Sequence, residues 1–247
     1  MPPDPWLLAP IIFLAAVLYT SVGHGGATAY LAILTLADYT VGVLRPTILI
    51  LNIVAAGLAF LLFQRAGHLR VRLLLPFLLT SVPFAYLGGL FRFADRTTDI
   101  IFAITLFAAA ARLLFLAKPP QMGKVTATGI PFYAVALPLG AILGFVAGAT
   151  GIGGGIFLSP ILLILGWANV KEAGSIAAAF IVLNSAAGLA AVTSHTPVDE
   201  AVLMPFLVAV TVGALLGSTL GAYRVPIVHL QRLLGVVLAV AGVRALL

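Results

Sequence analysis

Long apolar runs separated by short polar stretches make up almost all of this 247-residue chain. About 20 apolar residues in an α-helix cross the ~30 Å hydrocarbon core of a bilayer. Eight runs approach or reach this length: Leu7–Val22, Val43–Phe63, Leu73–Phe91, Ile100–Leu116, Ile130–Ala147, Gly174–Thr193, Ala201–Gly221 and Ile227–Leu247. The pattern predicts an all-α integral membrane protein with about eight long transmembrane helices.

Two further apolar runs, Ala27–Ala37 and Ile156–Gly166, have only eleven residues each. A helix of that length reaches about 17 Å, or half of the membrane. A glycine-rich turn precedes each run, so we expect two short broken helices or arms of re-entrant hairpins.

The two glycine turns belong to an internal repeat. They read Gly23-His24-Gly25-Gly26 and Gly151-Ile152-Gly153-Gly154-Gly155. Three matching segments follow each turn: Leu51-Asn52 with Leu183-Asn184, Ala55–Ala59 with Ala186–Ala190, and Pro76–Leu78 with Pro205–Leu207. We predict a first repeat at 1–117, a cytoplasmic linker at 118–128 and a second repeat at 129–247. Paired broken segments in a duplicated membrane chain are typical of secondary transporters.

Composition excludes a water-soluble domain, because 62% of the residues are hydrophobic and only 8% are charged, against about 25% charged in soluble proteins. The chain has no cysteine, which excludes disulfides and thiolate metal sites. Its net charge of +6 comes from basic residues between apolar runs, where they act as orientation signals and contacts to anionic lipids. We therefore expect membrane lipids, and no nucleic acid, as partners.

The basic residues also predict orientation. With alternating segments, nine face one side, and four face the other: Arg45, Arg92, Arg96 and Arg244. The richer side is cytoplasmic by the positive-inside rule, which puts both termini of a multi-pass inner-membrane protein outside the cytoplasm. Loop 64–72 is basic, whereas its counterpart 194–200 has no Lys or Arg. Equivalent loops therefore lie on opposite sides, and the two repeats are predicted to be inverted.

All seven acidic residues fall in predicted loops or at helix ends, which argues against a cation site in the membrane. A helix that begins at a glycine turn presents unpaired N–H groups and the positive end of its dipole. Two such turns brought together would bind an anion without any lysine or arginine. The candidate residues are Gly23, Gly25, Gly26, Gly151, Gly153, Gly154 and Gly155. The alternative is that these glycines only allow close helix packing.

Polar side chains in or near the glycine turns and the repeated segments complete the candidate site. Asn52 and Asn184 lie within apolar runs, where each amide must be hydrogen-bonded, either to a ligand or to a neighbouring helix. Thr47 and Ser175 precede them as hydroxyl candidates. His24 is the candidate for proton coupling or for donation to an anion; Ile152 occupies its place in the second turn. No metal site and no cofactor is predicted.

The duplicated glycine turn, short apolar segment and Asn-containing helix resemble the TauE/SafE sulfite exporter family over about residues 10 to 245. The segment at 148–160, Gly-Ala-Thr-Gly-Ile-Gly-Gly-Gly-Ile-Phe-Leu-Ser-Pro, is particularly typical. The resemblance implies transport of sulfite or small organosulfur anions such as sulfoacetate and other sulfonates across a prokaryotic inner membrane. It also implies that the glycine and asparagine positions belong to the pathway. The first copy departs from the pattern at His24 and Ala27, which leaves room for an asymmetric site.

The leading hypothesis is a secondary transporter with alternating access around a small anion. The alternatives are an anion channel and a carrier for another small anion such as a carboxylate. An enzyme is not expected, since the predicted membrane interior offers one histidine, no acid and no cysteine. The sequence leaves open whether the chain forms a homo-oligomer.

Overall fold

The protein is described from a computed structural model that covers residues 2–91, 129–193 and 197–223, with isolated positions between 100 and 114 and at 239 and 243. The linker predicted at 118–128 lies outside the described residues. Most of the predicted helices Ile100–Leu116 and Ile227–Leu247 lies outside them as well.

Regular secondary structure in the described residues is entirely helical. The helices are α1 Pro5–Thr20, α2 Ala27–Leu36, α3 Val41–Arg65, α4 Val71–Leu90, α5 Gly129–Thr150, α6 Gly155–Ile164, α7 Val170–Val192 and α8 Glu200–Tyr223. Five of them, α3, α4, α5, α7 and α8, are long and apolar enough to cross a membrane. The chain is therefore a polytopic helical membrane protein, as the apolar runs predicted.

The short apolar runs form short helices, which confirms that part of the prediction. Helices α2 and α6 have ten residues each, one fewer than the run in each case. Both begin directly after a glycine with positive φ, Gly26 at 103° and Gly154 at 74°. Residues with a Cβ rarely adopt this left-handed conformation, so the glycines fix the points at which the two helices start.

Helices α3 and α7 pack against each other and lie at the centre of the bundle. Around them, α4 packs on α5 and α8 packs on α1. Both pairs are in close backbone contact: a Cβ on Gly144 of α5 would overlap Ser81 of α4, and one on Gly217 of α8 would overlap Val17 of α1. Small residues at such crossings are typical of helix association in membranes.

The helix contacts occur in matched pairs. In one set, α4 packs on α5 and on α7; in the matching set, α8 packs on α1 and on α3. The short helices also match, because α2 lies on α3 and α6 lies on α7. The sequence landmarks also recur at the same helix positions. Pro76 and Pro205 are the sixth residues of α4 and α8, and Gly88 and Gly217 are the eighteenth.

Candidate functional site

Asn52 contacts both glycine turns from the middle of α3. It is the twelfth of 25 residues in that helix and is buried. Its Nδ2 donates to the carbonyl of Ile152 in the second turn at 3.2 Å and to Ser185 Oγ of α7 at 3.0 Å. On its other side, Oδ1 lies so close to Gly25 of the first turn that a Cβ there would overlap it. One amide therefore joins α3, α7 and the two turns.

Glycine is required at the positions that face this amide. At Gly153, where φ is +78°, a Cβ would come within 2.5 Å of Asn52 Nδ2 and 2.8 Å of Ser185 Oγ. These distances are well inside ordinary van der Waals contact, so any side chain would displace the polar groups. Both the backbone conformation and the available space thus select glycine.

The remaining glycines of the second turn pack against the two central helices. A Cβ on Gly151 would be 3.8 Å from Leu49 of α3. One on Gly154 would approach Phe180 of α7 at 3.0 Å, and one on Gly155 would approach Ile181 at 2.5 Å. The second turn is therefore enclosed between α3 and α7, as close helix packing requires.

The first turn has a different set of contacts. Gly23 lies against the backbone of Gly174 in α7, and a Cβ on Gly23 would overlap it. Gly26 faces the buried ring of Tyr30, whose hydroxyl donates to the carbonyl of Gly25 at 2.8 Å. Of the first-turn glycines, Gly25 contacts Asn52, Gly23 contacts Gly174 of α7 and Gly26 contacts Tyr30.

His24 connects the first turn to the second half of the chain. It is buried; its Nδ1 lies 3.0 Å from the carbonyl of Val22, and its Nε2 lies 3.1 Å from Ser159 Oγ of α6. Because a carbonyl only accepts, Nδ1 carries a hydrogen. The Ser159 hydroxyl can donate to a neutral Nε2, or accept from a protonated one while donating to the Gly155 carbonyl at 3.3 Å. Both charge states of His24 thus have hydrogen-bond partners.

Asn184 is not the structural counterpart of Asn52. Its Nδ2 donates to Phe180 O of its own helix at 2.8 Å, and its buried Oδ1 has no hydrogen-bond partner among the described residues. The contact with Asn52 is made by the next residue, Ser185. The hydroxyls of Thr47 and Ser175 are likewise buried and unpartnered within the described ranges. The two halves therefore contribute different groups.

A comparison with known families gives a match that includes both glycine turns. The model of the family "Sulfite exporter TauE/SafE" matches residues 8–245, which is nearly the whole chain. The chain belongs to this family. The resemblance seen in the repeated glycine turns is thereby confirmed, and this TauE/SafE protein is a multi-pass membrane transporter by family.

A curated relative points to the same class. The chain is 29% identical over 239 residues to "Probable membrane transporter protein y4hK" of Sinorhizobium fredii (strain NBRC 101917 / NGR234), with 97% of each chain covered. No solved structure matches the chain.

Arg45 is a residue of this TauE/SafE protein that the sequence reasoning misplaced. The charge count predicts that Arg45 lies in an outer loop. The anion site predicted between the two glycine turns contains no lysine or arginine. Instead, Arg45 lies inside α3 and is 8% exposed, and its Nη2 donates to the carbonyl of Gly148 at 2.9 Å. The sequence does indicate a position within the helix, because the predicted apolar run Val43–Phe63 contains this arginine.

Ser185 was also missed. It follows the repeated Leu-Asn pair directly and is fully buried. The corresponding residue in the first half is Ile53, so the repeat itself hides the serine. A polar residue that replaces an apolar one between two copies was the available signal.

The two ends of α3 lie in different surroundings. At its N-terminal end, a cavity of about 710 Å³ is lined by the N-terminal segment, the loop before α3 and the start of α8. Tyr39 lies there and donates to Pro3 O at 2.6 Å; burial, Asp4 and Asp199 raise the pKa of its hydroxyl, which stays neutral at physiological pH.

Near the C-terminal end of α3, a cluster of polar contacts ties the start of α4 to the start of α7. Arg70 Nη1 donates to the carbonyl of Trp167 at 2.7 Å and lies 3.7 Å from the Glu172 carboxylate. Glu172 also forms a capping box with Asn169 at the start of α7. These polar contacts link α4 to α7 at this end of α3.

Proposed function

We propose that the protein is a secondary transporter that carries sulfite or small sulfonate anions across the inner membrane by alternating access. The observation that carries this proposal is the position of Asn52, which contacts both glycine turns from the middle of α3. A transport site between two halves requires a place where both halves meet at mid-height of the bundle. Asn52 marks such a place.

The chemistry at this place suits an anion. Helices α2 and α6 start at the two turns, so their first N–H groups lack partners within the helix and their dipoles point positive ends at the junction. The Ser185 hydroxyl accepts from Asn52 Nδ2 and keeps its own hydrogen to donate to the anion. Asn52 Nδ2 would donate to the anion in exchange for one of its two present bonds. A sulfite or sulfonate group, with three oxygens around sulfur, accepts such bonds from several directions. We propose Gly25, Gly153, Asn52 and Ser185 as its binding residues.

The matched helix contacts support two related halves, at 1–117 and 129–247, joined by a cytoplasmic linker at 118–128. In the proposed mechanism the halves are inverted and move against each other, opening the site to one side at a time. The cavity beside Tyr39 would then be the outer entrance and the Arg70 cluster the closed inner gate. Both termini would lie outside the cytoplasm.

Transport by purified protein in proteoliposomes tests the proposal. Unlabelled sulfite or sulfonate inside the vesicles should accelerate uptake of the labelled anion, because an exchanging carrier returns loaded faster than it returns empty. Uptake that rises linearly with concentration and is unaffected by internal anion would indicate a channel. Counterflow with carboxylates but not with sulfite or sulfonates would indicate a carrier for another anion.

A further inference from the structure

Arg45 is the one Lys, Arg, Asp or Glu side chain that is buried among the described residues. A buried charge is expensive in a membrane protein unless it is paired. No carboxylate of the described residues pairs with Arg45, and its Nε has no hydrogen-bond partner among them. Within the part of the chain that the structure describes, its one hydrogen bond, from Nη2 to Gly148 O, satisfies part of the guanidinium and provides no counter-charge.

Arg45 lies on the same face of α3 as the proposed site. Residues 45, 49 and 52 are spaced four and three apart, so they share one side of the helix. That side follows the end of α5 and then the second turn: Arg45 contacts Gly148, Leu49 contacts Gly151, and Asn52 contacts Ile152. Arg45 is therefore about 10 Å from Asn52 along the helix axis, at the end of α3 where the preceding residue, Leu44, lines the cavity.

We propose that Arg45 is the specificity-determining residue that pairs with the transported anion on its way between the cavity and Asn52. The inference rests on the proposed function and names its charge class: singly charged oxyanions. A guanidinium can donate to two oxygens of a planar or pyramidal oxyanion at once. One fixed positive charge neutralises a monoanion, whereas a dianion leaves a net negative charge in the low-dielectric interior.

The consequence differs between the two substrate classes. A simple alkanesulfonate such as methanesulfonate is a monoanion at every physiological pH. Sulfite exchanges a proton near neutral pH and is carried, on this account, as hydrogensulfite. Transport of sulfite should therefore weaken as pH rises through neutrality, while transport of a sulfonate should not follow the same curve.

Groups of the protein itself also titrate, and the comparison must separate them from the substrate. The titratable side chains on the turn and helices that pack against α3 are Tyr19, His24, Tyr30, Lys171, Glu172, Glu200 and Tyr223, and the cavity beside Leu44 adds Asp4, Asp38, Tyr39 and Asp199. Of these, only His24 has an ordinary pKa close to neutrality. Any protonation of the protein acts on both substrates, so the difference between the sulfite and sulfonate profiles reports the substrate's own proton.

The experiment measures counterflow of labelled sulfite and of labelled methanesulfonate at equal internal and external pH, from about pH 5 to about pH 8. Arg45→Gln and Arg45→Lys are compared with Arg65→Gln, which removes an exposed arginine from the other end of the same helix. We expect a fall of at least about tenfold for both anions in Arg45→Gln, an intermediate loss in Arg45→Lys and little change in Arg65→Gln. In the wild type, the apparent KM for total sulfite should rise with pH as hydrogensulfite declines.

Equal transport by Arg45→Gln and Arg65→Gln would overturn the assignment of Arg45. So would sulfite transport that improves as the dianion becomes dominant, a readout that needs only the wild type and holds even if Arg45 variants fail to fold. Either result leaves the transporter proposal intact. A wild type that moves none of these anions would overturn the proposed function and this inference together.

Discussion

The substitution Gly153→Ala tests whether the Asn52 junction is needed for transport. It adds one methyl group next to the amide, and Gly67→Ala provides a matched control. Both glycines have φ of +78°, but a Cβ on Gly67 would meet nothing within 4 Å. Both variants therefore carry the same penalty for a left-handed alanine, about 1 kcal/mol. Only Gly153→Ala disturbs the site.

The additional effect at Gly153 can be estimated from the contacts. Ordinary contact begins at 3.4 Å, so the Cβ must separate from Asn52 Nδ2 by about 0.9 Å and from Ser185 Oγ by about 0.6 Å. Movements of this size break the 3.0 Å bond between these two groups and disturb the 3.2 Å bond to Ile152 O. Interhelical hydrogen bonds in membranes contribute about 0.6 kcal/mol on average and up to about 1.7 kcal/mol. The junction thus loses about 1–3 kcal/mol.

Initial rates of sulfite and sulfonate counterflow in proteoliposomes, normalised to protein amount, check this prediction. Since 1.4 kcal/mol corresponds to a factor of ten, we expect Gly153→Ala to lose about tenfold or more in rate while Gly67→Ala stays near wild type. Folding is monitored by the thermal midpoint in detergent. Equal rates in the two variants would refute the claim that the Asn52 junction is part of the transport site.

Three further predictions follow from the same contacts. Asn52→Ala should lower the thermal midpoint in detergent, because it removes two bonds between elements. Asn184→Ala should change it little, because the loss of a bond within its own helix is offset by the removal of a buried oxygen without a partner among the described residues. An equal fall in both would contradict the asymmetry. His24→Gln should retain counterflow with a flatter pH profile, and loss of proton-driven accumulation with exchange intact would instead make His24 the coupling residue. Because the chain has no cysteine, His68→Cys and Pro197→Cys can be labelled singly in oriented vesicles; we expect reaction from opposite sides, and reaction from one side would contradict the inverted repeats.

The helical architecture could be predicted from the sequence because one physical requirement dominates it. A chain that crosses lipid must satisfy its backbone within helices, so apolar runs and their lengths predict the elements. The short runs after the glycine turns became the short helices α2 and α6 for this reason. The helix ends are less predictable: α3 extends from Val41 to Arg65, two residues beyond the predicted run at each end, since hydrogen bonding continues into the polar flanks.

The partners of each candidate residue could not be predicted from the sequence. Gly23 and Gly25 look alike in the repeat, yet one packs on Gly174 and the other on Asn52, because neighbouring residues of a turn point in different directions. Asn52 and Asn184 occupy matched places in the sequence but make different hydrogen bonds. Such contacts depend on how the helices are rotated against each other, which periodicity alone does not define.

Arg45 illustrates a different limit. A count of basic residues treats each arginine as a loop charge. Whether an arginine at the edge of an apolar run is exposed or buried depends on the neighbouring helix, here on α5, where the carbonyl of Gly148 accepts from Arg45 Nη2. Only the packed structure brings those two residues together.

The position of a bound anion is the most direct test of the central claim. An experimental structure of the protein in lipid nanodiscs, determined with a saturating sulfonate, would locate it. The account predicts anion density between Gly25 and Gly153, within hydrogen-bond distance of Asn52 Nδ2 or Ser185 Oγ. Density bound elsewhere, with the two glycine turns still packed on Asn52 as they are here, would contradict it.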